Sequence, residues 1–256
     1  MADLWLLALG FGVLPFSALV LLAAPAALRR HEPLVWGVLI GVVAFLGLAH
    51  AGAALLQGNA YLRYEASPEI SAATAAGGVL LGTALGWTVL GRRAGSPANL
   101  RSIAVAAAIY VALHSVSDGQ VLGEAYAGPL APGYALTVVL VGGTLLHRLA
   151  EGALIAVPAV LDGWKPSRWS GLLLAGLLTL PAAYVPVVLL GGAPTASAVA
   201  LDQGVSVFVA GLEAGFAGIL LLLGLVPRVA GAQDRRWAMW AGLAFTVMLL
   251  IHFLVE

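Results

Sequence analysis

The sequence predicts an all-α polytopic membrane protein: eight transmembrane helices, both termini extracytoplasmic, in a single transmembrane domain over residues 1–256. Three observations carry that expectation. Hydrophobic residues make up 61% of the chain and charged residues only 9%, too few to clothe a water-facing surface. The apolar residues fall into runs of about 20, the length that crosses a bilayer as a helix. The breaks between runs alternate between arginine-rich and arginine-poor.

The first run, 4–27, follows an acidic Asp3 instead of a basic flank and is too long for a signal peptide, so it reads as a retained helix. RRHEP ends it, and the second run, 34–56, closes at QGNAYLRYEASPE. The third, 71–91, carries Gly77, Gly78, Gly82 and Gly86, which read as a close helix-packing face. GRRAGSPANLR separates it from the fourth, 102–125; AYAGPLAPG leads to the fifth, 134–160. DGWKPSR, GGAPTASA and PRVAGAQDRR bound the last three, at 169–190, 197–226 and 237–255. Arg29, Arg30, Arg92, Arg93, Arg101, Lys165, Arg168, Arg228, Arg235 and Arg236 fall at the odd-numbered breaks. Short loops rich in Lys and Arg stay cytoplasmic, which places the loop between the third and fourth helices inside and both ends outside.

Composition excludes several classes. The 12 basic and 12 acidic residues balance, so nothing points to a nucleic-acid partner; the partner surface is the lipid bilayer. With no cysteine there are no disulfides or thiolate sites, and three methionines are too few for a copper(I) path. Alanine and glycine abundance, with arginine far above lysine, points to a GC-rich bacterial source and hence the bacterial inner (plasma) membrane. A homodimer is compatible with the pattern, which does not itself set the oligomeric state.

Two short stretches carry the chemistry. HSVSDG, 114–119, and HRLAEG, 147–152, each place a histidine four residues before a carboxylate inside an apolar run. Four residues along a helix turn by 400°, so His114 and Asp118 share a face about 6 Å apart along the axis, as do His147 and Glu151. Adjacent antiparallel helices would set His114 level with Glu151 and Asp118 level with His147, near mid-membrane. An ionisable residue at that depth opposes insertion by roughly 2.5–3.5 kcal/mol, so the cluster together with Arg148 needs an offset on the order of 10 kcal/mol. A divalent cation supplies it. His114, Asp118, His147 and Glu151 are therefore the expected metal ligands, a borderline set suited to Zn²⁺, Fe²⁺, Mn²⁺ or Co²⁺, with Cd²⁺ equally acceptable to it. The plainer alternative is an inter-helix polar network in which the carboxylates pair with Arg148; two matching pairs at matching depth weigh against it.

Other polar residues are expected along a pathway. Glu124 lies about 15 Å outward of His114 by helical rise and reads as a vestibule or interfacial residue. Asp202 and Glu213 are eleven residues apart, at nearly one azimuth, and would line an exit or proton route, with Glu213 the deeper of the two. His50, within FLGLAHAGAALL, reads on its own as a helix-packing histidine.

The eight spans and the two motifs resemble the ZIP (Zrt/Irt-like) divalent-metal transporters. His114, Asp118 and Gly119 match the HNxxDG or HNxPEG motif of that family's fourth helix, with Ser115 standing where asparagine is usual. Glu151 and Gly152 match its fifth-helix motif, His147 stands at a position the family uses as a ligand, Arg148 takes a usual acidic position, and Ala150 replaces the common proline. His50 falls where these transporters often carry a histidine toward the outer side, which implies an entry-path role for it. The resemblance implies uptake of a divalent cation, zinc foremost, into the cytoplasm by an elevator-like alternating access. The metal would be cargo, with no resident cofactor and no enzymatic activity. It also implies a departure: the family often holds two ions, and here Leu180 precedes Pro181 where an acid is expected while Arg148 would repel a second cation. Ser115 and Arg148 are expected to orient or gate a mononuclear site. Two equivalents of tightly bound metal per protomer, by elemental analysis, would contradict that. The carboxylates should take up protons as metal leaves, making flux pH-dependent. The alternatives are a membrane-embedded zinc metallohydrolase using the same residues and a transport-inactive metal sensor, for which Arg148 is the motive.

Overall fold

A computed structural model of the protein describes residues 25–61, 67–91, 99–127, 138–165, 196–232 and 235–255. All regular structure among them is helical: α1 (Pro25–Arg30), α2 (Glu32–Tyr61), α3 (Pro68–Leu90), α4 (Leu100–Ala127), α5 (Val138–Leu161), α6 (Ala196–Ile219) and α7 (Arg236–Val255). Six of the expected spans correspond to α2 to α7; residues 4–24 of the first and all of the sixth, 169–190, lie outside the described residues. The RRHEP break is slighter than expected. It is a single turn residue, His31, across which the hydrogen bonds His31 N to Ala27 O and Val35 N to His31 O carry the winding on, each at 3.0 Å.

Local chemistry sets the helix ends. Ser67 Oγ accepts from Ile70 N at 3.3 Å, and Pro68 at the first helical position starts α3 with its φ already fixed. Asn99 Oδ1 accepts from Ser102 N at 2.7 Å at the start of α4. α5 ends where Gly163 takes φ 74°, with Gly163 N on Val160 O and Trp164 N on Ala159 O, both at 3.0 Å: the paired bonds of a Schellman cap. Gly163→Ala should cost about 1 kcal/mol, read as a lower unfolding temperature in detergent with metal binding unchanged. The seventh expected span stays helical to Arg228 but changes winding, to a π-helix over Leu220–Leu225 and a 3₁₀ turn over Val226–Arg228. Pro227 gives the reason: it lacks an N–H, and its ring would meet the carbonyl four residues back in a regular helix.

Among the described residues, four helices are long and apolar enough to cross a membrane: Glu32–Leu55, Pro68–Leu90, Leu100–Ser117 and Gly204–Arg228; Ala150–Leu161 and Arg236–His252 are shorter apolar segments. Large apolar side chains such as Leu55, Leu80 and Leu222 point outward, 71%, 70% and 66% exposed, as a lipid-facing surface requires. These features mark a membrane protein.

The helices pack in two layers. One has the order α3, α6, α2, α7; the other is the α4–α5 pair, which lies against it. Glycines set the first layer. Gly78 and Gly82 of α3 face the backbone of Phe208 and Leu212, and Gly211 and Gly215 of α6 face the backbone of Ala75 and Val79, so α3 and α6 run parallel in close contact. Gly37 and Gly41 of α2 likewise face Trp237 and Ala241 of α7. The ends of α5 and α6 and the starts of α2 and α4 share one side of the bundle, where aromatic and charged groups meet. Trp36 Nε1 donates to Glu32 Oε1 at 3.0 Å, and the Arg228 guanidinium lies 5.9 Å from the Trp36 ring centre. Trp164 Nε1 donates to Asp162 Oδ2 at 2.6 Å, with Arg101 5.8 Å from the Trp164 ring centre. Four of the basic breaks expected to be cytoplasmic thus border one end of the bundle.

Candidate metal centre

The site lies between the layers and is built around His114. Helical spacing places Tyr110, His114 and Ser117 on one side of α4. Antiparallel pairing brings Glu151 of α5 level with His114, and Nε2 of His114 lies 3.2 Å from Oε1 of Glu151. The opposite ring nitrogen, Nδ1, lies 3.5 Å from Oε2 of Glu213 on α6. Nδ1 of His50, from α2, is 2.8 Å from that same oxygen. The two imidazoles meet edge to face with ring centres 4.7 Å apart. Tyr110 lies nearly parallel to His114 at 6.2 Å and in turn against Phe216, also at 6.2 Å, so aromatic rings close the α4–α6 side.

Both carboxylates are wholly buried and the His114 side chain is 4% exposed, whereas that of His50 keeps 13%. Ser117 Oγ donates to Glu213 Oε1 at 2.5 Å. The other oxygen, Oε2, accepts no aligned hydrogen bond despite its two imidazole neighbours, and Nε2 of His50 has no hydrogen-bond partner among the described residues. Ligand atoms of His50, His114 and Glu213 all fall within 4.8 Å of one another. Tetrahedral Zn²⁺ with N and O ligands at about 2.0–2.2 Å needs its ligand atoms roughly 3.3 Å apart, and the separations of 2.8 and 3.5 Å bracket that value.

No family model matches the chain, and no curated protein matches its sequence.

Of the four expected ligands, His114 and Glu151 come together. Asp118 and His147 sit in α4 and α5, but their side chains, with those of Arg148, Glu124 and Asp202, lie outside the described residues. His50 and Glu213, expected along a pathway, instead meet His114 directly. Ser115 turns back on its own helix, Oγ donating to Val111 O at 2.6 Å. Ser117 is the residue that sequence reasoning passed over; its signal was its place three residues after His114, on the same side of the helix. Ser117→Ala should leave a buried carboxylate oxygen without its donor and weaken divalent-metal binding by about 10-fold or more, measured by titration calorimetry.

Two imidazoles and one carboxylate, His50, His114 and Glu213, converge from α2, α4 and α6 as a set that could hold a borderline divalent cation, with Glu151 of α5 on the opposite side of the His114 ring.

Proposed function

We propose that the protein carries a divalent transition-metal cation across the membrane into the cytoplasm by alternating access, zinc being the leading cargo and Fe²⁺, Mn²⁺, Co²⁺ and Cd²⁺ its competitors. The observation that supports this most is the convergence of His50, His114, Glu151 and Glu213 in the interior of an apolar helical bundle. The cluster draws on both layers: His50 and Glu213 from one, His114 and Glu151 from the other. A shift of one layer against the other would break the set apart and release the ion, which is what alternating access needs. The resemblance of HSVSDG and HRLAEG to the ZIP motifs supports the same reading, with the protein in a bacterial inner membrane and its arginine-rich loops inside.

Uptake by proteoliposomes of purified protein tests it. Saturable entry of Zn²⁺ or another divalent ion, lost in a His50→Ala/Glu213→Ala variant that still folds, is the expected result. A native protein that binds metal yet moves none of these ions faster than protein-free vesicles would overturn the reading. A second reading has one feature in its favour: His50, His114 and Glu213 are a two-histidine, one-carboxylate set, the donor count of catalytic zinc with a place left for water. Zinc-dependent hydrolysis of an ester or peptide without uptake would select it.

A further inference from the structure

We infer that α1, the start of α4 and the end of α5 form a docking surface for anionic phospholipid headgroups, held by Arg29, Arg30, Arg101 and Lys165. The inference goes beyond the carrier reading and does not depend on the metal centre.

All four cations are exposed, and each is next to a residue that anchors it to the bundle. Leu28 is buried in the core, which fixes α1 against α5 with Arg29 and Arg30 left at the surface. Leu100 and Trp164 pack on the same core beside Arg101 and Lys165, and the Arg101 guanidinium lies 5.8 Å from the Trp164 ring centre. Indoles mark the depth of this surface. Trp87 is 55% exposed near the end of α3, which runs parallel to α6 and so finishes on the same side of the bundle, and Trp164 is partly exposed there too. Tryptophan collects at the membrane–water boundary, at headgroup level, so the four cations stand near the lipid phosphates. The local acids are otherwise engaged. Glu32 and Asp162, the carboxylates described at this end, accept from Trp36 Nε1 and Trp164 Nε1, and both lie within electrostatic reach of Arg228. None of the four cations forms an ion pair with a described carboxylate. A guanidinium lying over an indole keeps its N–H edges for other acceptors, and the paired oxygens of a phosphodiester match that fork. A soluble acidic partner suits the surface less well, because the indoles set these charges at lipid depth.

Phosphatidylglycerol added to the full-length protein in neutral detergent, beside phosphatidylcholine with the same acyl chains, tests the inference by native mass spectrometry and thermal unfolding. Phosphatidylglycerol should be retained at least about 10-fold better and raise the unfolding temperature, with a preference that shrinks as salt approaches about 1 M. Each cation near an anionic surface is worth about 5-fold in affinity, so Arg101→Gln/Lys165→Gln should weaken retention about 25-fold, and Arg29→Gln/Arg30→Gln about as much. Arg101→Lys keeps the charge and should stay within a few fold of native. Glu69→Gln, in the first turn of α3 and so at the opposite end of the bundle, should change nothing. Without lipid, each variant should unfold at the native temperature and bind cobalt(II) with native visible d–d bands; if the Arg101/Lys165 variant does not fold, the Arg29/Arg30 variant carries the test. Equal retention of the two lipids would overturn the inference, as would native retention in the folded double variants. Inorganic phosphate raising the unfolding temperature as much as phosphatidylglycerol would also overturn it, since that marks a free-phosphate site. Lipid preference without vesicle uptake would sink the carrier reading alone, and uptake without lipid preference would sink this inference alone.

Discussion

His114→Asn and His114→Gln should both lose metal binding by more than about 100-fold and bring proteoliposome uptake to background, for the same reason reached from opposite sides. An asparagine amide nitrogen falls near the place of Nδ1 and can still donate to Glu213, whereas a glutamine amide nitrogen falls near Nε2 and can still donate to Glu151. Each variant preserves one of the two buried contacts and neither offers an imidazole lone pair, so loss in both isolates ligation from packing. Alanine is the wrong replacement. It would leave two wholly buried carboxylates without the imidazole between them, a change that costs about 3–5 kcal/mol when a buried pair loses one partner. Equilibrium dialysis with Zn²⁺ and vesicle uptake, beside thermal unfolding, read the outcome. Saturable uptake within a few fold of native in either variant would remove His114 from the path of the ion.

His114 and Glu151 were legible because an ionisable residue deep in an apolar run is costly enough to stand out, and because antiparallel neighbours must set those two positions level. The helices α2 to α5 and α7 were legible from run length, each within a few residues of its end as found. Other features needed the fold. Burial cost says that His50 and Glu213 require partners, but not which ones; Glu213 is 99 positions from His114 along the chain, and only the packing of α6 between α2 and α3 brings it there. The π-helix at Leu220–Leu225 carries no periodic signal, since its residues are leucine and glycine throughout and only Pro227 hints at a change. Ser115 invited attention by standing at a family ligand position, yet its hydroxyl satisfies its own helix, the usual habit of serine within an apolar helix. The neighbouring Ser117 reaches the site because α4 turns it toward α6.

Gly82→Leu should be the most damaging single change away from the site. A Cβ at Gly82 would fall on the backbone of Leu212, and one at Gly78 on the backbone of Phe208; no side chain there could rotate away. The contact is reciprocal, since Gly215 presses on Val79 and Gly211 on Ala75. A larger residue must therefore push α3 and α6 apart as whole helices, at a cost of about 3 kcal/mol or more. The damage should spread to the metal centre. Leu212 immediately precedes Glu213, so any displacement of α6 at that turn moves the carboxylate away from His50 and His114. Gly242 of α7 supplies the control: a Cβ there meets nothing within 4 Å. Gly242→Ala should unfold at the native temperature and bind Co²⁺ with native bands, whereas Gly82→Leu should unfold well below it and bind weakly or not at all. A Gly82→Leu protein as stable as the native one would mean that α3 and α6 do not meet through their glycines, and the position of Glu213 beside His114 would lose its support.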